Sequence, residues 1–211
     1  MDDIAHLLAR APVIPVLTVE RAADAAPLAR ALVAGGLPVL EVTLRTPVAL
    51  EAIAAMNGVE GAVVGAGTVL NGGEVEAAFG AGAAFMVSPG LIAAVVERAR
   101  DVGAPILPGA ATASDLMRGL EMGLTHFKFF PAEHAGGVGM LKAWSGPFAA
   151  CRFCPTGGVT AQSAPAYLAL ANVACVGGTW IAPAELVRAG DWAEITARAA
   201  IAAGLRDSSA G

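Results

Sequence analysis

Short apolar segments alternate with alanine-rich segments along most of this chain, and this pattern limits the fold more than any other feature. The first apolar segment, Val13–Val16, precedes a predicted helix over about 20–34 that ends at Gly35–Gly36. Further pairs of the same kind follow without a break in composition, which makes eight in all. Strands that alternate with helices indicate parallel strands joined by helical crossovers. The later predicted strands are 39–43, 62–66, 84–87, 105–107, 126–130, 151–154 and 172–176.

Eight units of about 25 residues fit a closed (β/α)8 barrel at the short end of its usual size range. An open doubly wound sheet is the alternative, and it would need a dinucleotide-binding glycine motif, whereas Gly65 and Gly67 lack the third glycine. The sequence therefore predicts an α/β protein, a single (β/α)8 TIM barrel domain over 1–211 with a short N-terminal helix. The predicted helices, besides 20–34, cover 2–10, 91–100, 113–122, 137–144, 161–170 and 191–203, or begin at Pro47 and Asn71.

Composition excludes several classes of function. Hydrophobic residues make up 56 %, yet no apolar run reaches the roughly 18 residues that a membrane-spanning helix needs. The net charge is −5 and no basic block occurs, which argues against a nucleic-acid partner. The acidic start, Met1–Asp3, lacks the positive region of a signal peptide. We therefore expect a soluble, cytoplasmic protein that binds neither a membrane nor a nucleic acid.

The three cysteines form no pattern typical of a disulfide-rich or zinc-binding protein. Cys151 and Cys154 are three positions apart in a predicted strand, so their side chains should lie on opposite faces. With Cys175, they are predicted to be reduced core residues. Glu41, Glu133, His126 and His134 do not have the spacing of a known metal motif either, and no metal is predicted.

Lys128 lies among phenylalanines in the predicted strand 126–130. Alternation places Lys128 and Phe130 on one face and Phe127 and Phe129 on the other. Lysine is almost never fully buried without a partner, and apolar surroundings destabilise its cation, so the neutral amine becomes available as a nucleophile. The alternative is a lysine at a strand end whose amine reaches solvent.

Polar residues follow several other predicted strands, at the ends where barrels carry their catalytic groups. Glu41 and Arg45 share one face of the second strand. Glu41 could exchange protons, and Arg45 could hold a carboxylate through two parallel hydrogen bonds, although an internal Glu41–Arg45 ion pair is the alternative. Thr68 follows two glycines and offers a hydroxyl, and Pro89 either borders the pocket or belongs to a turn only.

Paired glycines follow the last two strands, at Gly157–Gly158 and Gly177–Gly178. Barrels commonly bind phosphate in these two loops, because free backbone N–H groups suit a dianion without a cationic side chain. Thr156 and Thr179 adjoin the glycines. The sequence thus predicts a phosphate site opposite the carboxylate-binding Arg45.

Six segments of the chain resemble the bacterial 2-keto-3-deoxy-6-phosphogluconate (KDPG) aldolases, and the resemblance is collinear from about Pro12 to Trp192. The segments are Leu40–Thr46, Val64–Val69, Phe85–Gly90, Phe127–Glu133, Arg152–Gly158 and Gly177–Trp180. The resemblance implies a class I aldolase on a (β/α)8 barrel, usually a homotrimer, that works in the Entner–Doudoroff pathway without metal or cofactor. The substrate implied is a small phosphorylated keto acid.

The resemblance also implies roles for individual residues. Lys128 matches the Schiff-base lysine and Glu41 the general acid–base. The residues that match the pyruvate-binding part of the site are Arg45, Thr68, Pro89 and Phe130. Those that match the phosphate-binding part are Thr156, Gly157, Gly158, Gly178 and Thr179, the last standing where the family often has serine.

The expected reaction is cleavage of KDPG to pyruvate and glyceraldehyde 3-phosphate, with 4-hydroxy-2-oxoglutarate as a second candidate substrate. The aldolase for the galactonate epimer is the nearest alternative, and Phe127, Phe129 and Thr156 favour the gluconate substrate. A phosphosugar isomerase or a non-catalytic phosphosugar-binding barrel remains open as well, although neither explains a lysine among aromatic residues.

Overall fold

The inner wall of the molecule consists of short parallel strands whose residues are almost all buried. The computed structural model of the chain describes residues 3–205. The strands in this range are β1 (Val13–Leu17), β2 (Val39–Thr43), β3 (Val63–Gly67), β4 (Met86–Val87), β5 (Ile106–Leu107), β6 (Gly109–Ala110), β7 (His126–Phe129), β8 (Arg152–Pro155) and β9 (Val176–Gly178).

These strands close into a barrel. One sheet has the order β5-β4-β3-β2-β1-β9 and the other the order β6-β7-β8, with every pair parallel. Only Pro108 separates β5 from β6, so the two occupy one position in the wall. Proline has no N–H to donate, which interrupts the ladder of hydrogen bonds there. The Pro108 carbonyl still accepts a hydrogen bond from the backbone N–H of Lys128, at 2.9 Å. Isolated bridges, Phe153 to Val173 and Thr156 to Gly177, close the gap between β8 and β9. The predicted (β/α)8 barrel is confirmed.

Except for the first, which precedes β1, the helices follow strands and cover the outside of the barrel. They are α1 (Ile4–Ala9), α2 (Ala22–Ala34), α3 (Ala49–Asn57), α4 (Gly72–Gly80), α5 (Ala93–Asp101), α6 (Ala113–Glu121), α7 (Gly137–Trp144), α8 (Ala164–Leu168), α9 (Ala184–Ala189) and α10 (Trp192–Ala203). Within residues 3–205, none of them is both long enough and apolar enough to cross a membrane.

Alternation along the strands divides the apolar residues into two cores. The outer core lies between strands and helices and includes Leu40, Val42, Phe127 and Phe129. The inner core lies within the barrel, where α1 contributes apolar side chains at the end where the strands begin. Its buried members are Ile4, Leu7, Leu8, Ile14, Val39, Phe85, Val87, Leu107, Cys154 and Cys175.

The cysteines follow this division. All three are buried, and no disulfide joins them within residues 3–205. Cys151 belongs to the outer core and Cys154 to the inner core, which confirms that their side chains lie on opposite faces of the strand. They therefore contribute to packing in two separate layers.

Two predictions near the C-terminus need correction, and one helix there was missed. The last strand is Val176–Gly178 rather than 172–176. Around Val173 the backbone makes only an isolated bridge to Phe153 of β8, and continuous pairing, with β1, begins at Val176. The helix predicted over 161–170 is confined to α8, and α9 was not predicted. The ends of the predicted domain, 1–2 and 206–211, lie outside the described residues.

Candidate active site

Lys128 and Glu41 meet inside the barrel near the C-terminal ends of β7 and β2. Lys128 Nζ lies 2.8 Å from Glu41 Oε1, and the two residues are only 5 % and 3 % exposed. Lys128 does not reach solvent, so that alternative is wrong. The alternative of a Glu41–Arg45 ion pair is also wrong, because the ion pair of Glu41 within residues 3–205 is with Lys128. A buried amine with an adjacent carboxylate is a group that can lose and regain a proton locally.

Strand alternation explains why these two side chains point inward. On β2, Val39 belongs to the inner core while Leu40 and Val42 belong to the outer core, so Glu41 faces the interior. Thr43 follows on the same face, and its hydroxyl donates to Leu17 O at 3.0 Å, which ties β2 to β1. The carboxylate is thus fixed by the register of the barrel wall.

Gly67, at the end of β3, leaves the space that the Glu41 side chain occupies. A Cβ at this position would lie 2.6 Å from Glu41 Cγ and would overlap Oε1. Real Cβ atoms essentially never approach so closely. Gly67 therefore accommodates a side chain of the protein itself.

Aromatic residues surround the lysine as the alternation predicted. Phe127 and Phe129 pack in the outer core, where Phe129 meets Trp144 edge-on with ring centroids 5.3 Å apart. Phe130 lies on the lysine side, with Lys128 Nζ 5.4 Å from its ring centroid. A cation at this distance is attracted by the face of the ring.

A cavity of about 220 Å³ opens beside the Lys128 amine. The Arg45 guanidinium lines it, is exposed, and has no ion pair within residues 3–205. Loops after β8 and β9 form another part of the lining. The predicted site residues that the cavity brings together are Arg45, Lys128, Phe130, Thr156, Gly157, Gly158 and Thr179.

The turn after β8, Gly157–Val159, is called the β8 loop below. Gly157 and Gly158 have φ values of +96° and +81°, a region that favours glycine. Within the part of the chain that the structure describes, the N–H groups of Gly158 and Val159 have no backbone or side-chain acceptor. Such groups at a cavity edge are suited to an anion.

Three other predicted site residues, Thr68, Pro89 and Gly178, are not among the residues that line the cavity. Thr68 has φ +60°, and it is the one non-glycine residue with positive φ in the described range. Strain of this kind often accompanies functional positions. The Pro89 carbonyl lies so close to Gly109 that a Cβ there would overlap it. Gly178 packs against the Trp180 ring, and its neighbour Gly177 lines the cavity instead.

Sequence reasoning missed Val16 and Val159, which both line the cavity. An inward-facing valine on a barrel strand has the same sequence pattern as a core residue, so nothing in the sequence marked Val16. The position of Val159 directly after Gly157–Gly158 was the one available signal.

A second cavity, of about 280 Å³, lies at the opposite end of the barrel beside α1. His126 and Arg100 are among its lining residues. Burial lowers the pKa of His126 below its usual value, an effect that the nearby Asp3 opposes and Arg152 reinforces. His126 and Lys128 thus share a strand face but belong to different ends of the barrel.

No three His, Cys, Asp or Glu side chains within residues 3–205 are grouped as ligands of a metal ion. Of the four residues considered for a metal, Glu41 contacts Lys128 and Glu133 accepts a hydrogen bond from Tyr167. The expectation that the protein needs no metal stays a prediction.

Comparison with known proteins gives consistent matches over nearly the whole chain. The family described as "Aldolase: KDPG and KHG aldolase" matches residues 4–198. A 2-dehydro-3-deoxy-phosphogluconate aldolase of Zymomonas mobilis is 55 % identical over 199 residues, which is 94 % of either chain. The KHG/KDPG aldolase of Escherichia coli K12 is 49 % identical over 191 residues, 90 % of either chain.

Comparison with solved structures gives the same family. The Zymomonas mobilis KDPG aldolase with 3-phosphoglycerate has a TM-score of 0.94 at 53 % identity, covering 99 % of both chains. The Legionella pneumophila KDPG aldolase, with pyruvate captured as a covalent carbinolamine intermediate, has a TM-score of 0.92 at 46 % identity, covering 94 % of this chain and 97 % of that one. A native KDPGal structure is more distant, with 25 % identity, a TM-score of 0.83, and coverage of 94 % and 95 %. The chain described here belongs to the KDPG and KHG aldolase family.

Proposed function

We propose that this protein is a class I aldolase that cleaves 2-dehydro-3-deoxy-6-phosphogluconate to pyruvate and glyceraldehyde 3-phosphate. The observation that carries the proposal is the buried Lys128 amine, 2.8 Å from the Glu41 carboxylate and beside the cavity that Arg45 and the β8 loop also line. Relatives with about 50 % sequence identity are named as aldolases of this substrate, which supports the same reaction here.

Lys128 is the nucleophile in this proposal. Transfer of a proton from its ammonium to Glu41, its hydrogen-bond acceptor, leaves a neutral amine that attacks the C2 ketone of the substrate. Glu41 returns this proton to the hydroxyl of the resulting carbinolamine, which leaves as water. The carbinolamine thereby becomes an iminium that withdraws electrons from C3, and Glu41 is again a carboxylate. The carbinolamine captured in the Legionella pneumophila relative supports this first step.

Glu41 is the acid–base group for the bond cleavage. Its carboxylate takes the proton of the C4 hydroxyl, the C3–C4 bond breaks, and its electron pair passes into the iminium to form an enamine. Glyceraldehyde 3-phosphate leaves as the aldehyde. Protonation of the enamine at C3 and hydrolysis of the imine then release pyruvate and restore Lys128.

Two anionic ends of the substrate are held by different parts of the cavity in this proposal. Arg45, whose guanidinium has no ion pair within residues 3–205, binds the carboxylate together with Thr68, Pro89 and Phe130 in this proposal. The loops after β8 and β9 bind the phosphate through Thr156, Gly157, Gly158, Gly178 and Thr179. The 3-phosphoglycerate complex of the Zymomonas mobilis relative supports a phosphorylated ligand. Fixing both ends orients the scissile bond and so lowers the barrier.

A second substrate, 4-hydroxy-2-oxoglutarate (KHG), is also proposed. The Escherichia coli relative is named for both KHG and KDPG. The observation that favours it in this chain is that Arg45 and Lys128 belong to other elements of the cavity wall than the β8 loop, so the pyruvate half has binding groups of its own. The galactonate epimer has less support, since the KDPGal structure is only 25 % identical.

For the whole molecule, we propose one domain over 1–211 that works as a cytoplasmic homotrimer in the Entner–Doudoroff pathway and needs no metal or other cofactor. Light scattering coupled to size-exclusion chromatography measures the assembly directly, and a monomer at micromolar concentration would contradict it.

The decisive experiment is reductive trapping of the imine. The protein is incubated with pyruvate and borohydride, and the adduct is located by intact and peptide mass spectrometry. We expect a reduced pyruvyl group on Lys128. Lys142, the other lysine of the chain, is the internal control and should remain unmodified. An absence of adduct on Lys128 in folded protein would exclude the proposed mechanism and favour an isomerase or a phosphosugar-binding barrel.

A further inference from the structure

The buried Tyr167 and the exposed Glu133 form a contact next to the β8 loop that the proposed reaction does not use. Tyr167, in α8, is 1 % exposed, and its hydroxyl donates a 2.8 Å hydrogen bond to Glu133 Oε1. Burial, and after it the hydrogen bond and negative charge of Glu133, raise the pKa of Tyr167 above its usual value. The phenol therefore remains a hydrogen-bond donor at neutral pH.

Glu133 also contacts the β8 loop, through its backbone and its side chain. The Glu133 N–H donates to Gly157 O at 3.1 Å, and the preceding Ala132 N–H donates to Thr156 O at 2.8 Å. A Cβ at Gly158 would lie 2.7 Å from Glu133 Cγ and 2.8 Å from its Cβ. The aliphatic stem of Glu133 thus covers the side of Gly158 where another residue would begin its side chain.

From these contacts we propose that Glu133, held by Tyr167, is a positioning residue for the phosphate end of the substrate. The inference rests on the proposed function, since it takes the β8 loop to be the phosphate site. Two adjacent glycines give the loop a wide choice of conformations, so a contact from outside must select the one that presents N–H groups to the cavity. The Glu133 stem provides that contact.

The hydrogen bond from Tyr167 also determines which part of Glu133 meets the loop. Because Oε1 is held against α8, the stem rather than the carboxylate lies on Gly158. A carboxylate released from Tyr167 could turn toward a bound phosphate, and two negative charges in proximity repel each other. Losing the tyrosine hydroxyl therefore loosens the loop and brings a repulsive charge closer to the ligand.

Three variants separate these effects. Tyr167→Phe removes only the donor, and Glu133→Ala removes the stem as well as the charge. Both are expected to weaken phosphate binding about tenfold, the loss typical of one hydrogen bond to a charged group. Glu133→Gln keeps the stem and an oxygen that can accept from Tyr167, so it is expected to stay within about twofold of the parent.

Thr196→Val is the matched control for the loss of a hydroxyl. Thr196 Oγ1 donates to Ala31 O at 3.1 Å and so joins α10 to α2, away from the β8 loop. We expect this variant to lose thermal stability while binding phosphate as the parent does. A general loosening of the fold is thereby distinguished from a local change in the loop.

The test is calorimetric titration of the parent and the four variants with inorganic phosphate, followed by kinetics on two substrates. The proposal expects weaker phosphate binding and a raised KM for the phosphorylated substrate in Tyr167→Phe and Glu133→Ala. Their kcat/KM for unphosphorylated 4-hydroxy-2-oxoglutarate and their trapping of pyruvate on Lys128 should match the parent.

Unchanged phosphate binding in both variants, an equal loss in Thr196→Val, or no phosphate binding by the parent overturns the proposal. So does an equal rise of KM for the two substrates. Phosphate binding is measured without turnover, so it decides the role of Glu133 even if no imine is trapped. Failure of the aldolase proposal would appear instead as the missing adduct on Lys128.

Discussion

A lysine and a glutamate that are both more than nine-tenths buried must satisfy each other's charge, because water is not available to do so. Lys128 and Glu41 do this through one contact of 2.8 Å. Such a pair contributes little net stability compared with apolar residues of the same size, whereas removing one partner is costly. At the residue scale, the pair is therefore better explained by proton exchange than by folding.

Glu41→Gln tests this explanation. The amide keeps an oxygen that can accept from Lys128 Nζ but cannot take a proton from the substrate. We expect kcat to fall by about 10²- to 10⁴-fold, the usual contribution of a general base, with a small change in KM. Steady-state kinetics measure both, and a kcat within about tenfold of the parent would contradict the assigned role.

Glu41→Ala should in addition destabilise the fold by about 3–5 kcal/mol, because it leaves a buried cation unpaired.

Gly67→Ala tests the space that Glu41 needs. The new methyl group would overlap Glu41 Oε1, so either the carboxylate or β3 must move, at a cost of about 1–3 kcal/mol in the free energy of unfolding. Turnover should fall together with stability.

Gly139→Ala in α7 is the matched control, because its Cβ would meet nothing within 4 Å. It should leave activity unchanged and stabilise the helix by about 0.5–1 kcal/mol. Equal effects of the two substitutions in denaturant unfolding would refute the packing argument.

At the scale of secondary structure, sequence pattern predicted the order of elements and the faces of strands better than their registers. Alternation placed Lys128 and Phe130 opposite Phe127 and Phe129, and the cores confirm it. Alternation could not locate β9, because the mostly apolar run 172–176 is typical of a strand, whereas the pairing with β1 begins at Val176, opposite Val13. Register depends on a partner that is distant in sequence.

Other features of the elements had no sufficient local signal. Helix α9 has only six residues, too few for a clear periodicity, and ends at Gly190 with φ +68°. The contact between Lys128 and Glu41 joins residues 87 positions apart. Only the rule that barrel strands present their functional groups at one end could bring them together from sequence. The space at Gly67 and the place of Val16 in the cavity lining could be seen only in the three-dimensional structure.

Helix α1 provides a prediction at this scale. Leu8 is fully buried in the inner core, at the end of the barrel opposite Lys128. Leu8→Ala should lower the free energy of unfolding by about 2–5 kcal/mol, since it leaves a cavity, while the folded fraction keeps its turnover number. Ile201→Ala, at a position that is 72 % exposed, is the control and should change stability by less than about 0.5 kcal/mol. A loss of turnover in folded Leu8→Ala protein would show that the two ends of the barrel are coupled.

At the scale of the whole molecule, the pH dependence of stability has one readily assigned contribution. The chain contains one tyrosine, and burial raises the pKa of Tyr167 above the usual value of 10.0. The folded state then holds the phenolic proton more tightly than the unfolded state does. The stabilisation is complete below pH 10 and is lost as pH rises through the higher pKa of the folded protein.

Ultraviolet titration of tyrosinate follows this single group. We expect no tyrosinate in the folded protein at pH 10 and its appearance together with unfolding at higher pH. The decline in stability above pH 10 should be smaller in Tyr167→Phe than in the parent. A reversible tyrosinate signal near pH 10 in folded protein would contradict the burial of Tyr167.

Arg45 follows β2, whereas the β8 loop and Thr179 come from the opposite part of the sequence, and Lys128 lies between these two groups along the chain. Under the proposed assignment of these residues, an enzyme used for synthesis, joining pyruvate to an aldehyde, would recognise its two reaction partners with different segments of the gene. Combinatorial libraries confined to codons 156–159 and 177–179 could change which aldehyde is accepted while the pyruvate enamine forms as before. The same layout would let a natural lineage acquire a new acceptor without losing its carbon–carbon bond chemistry.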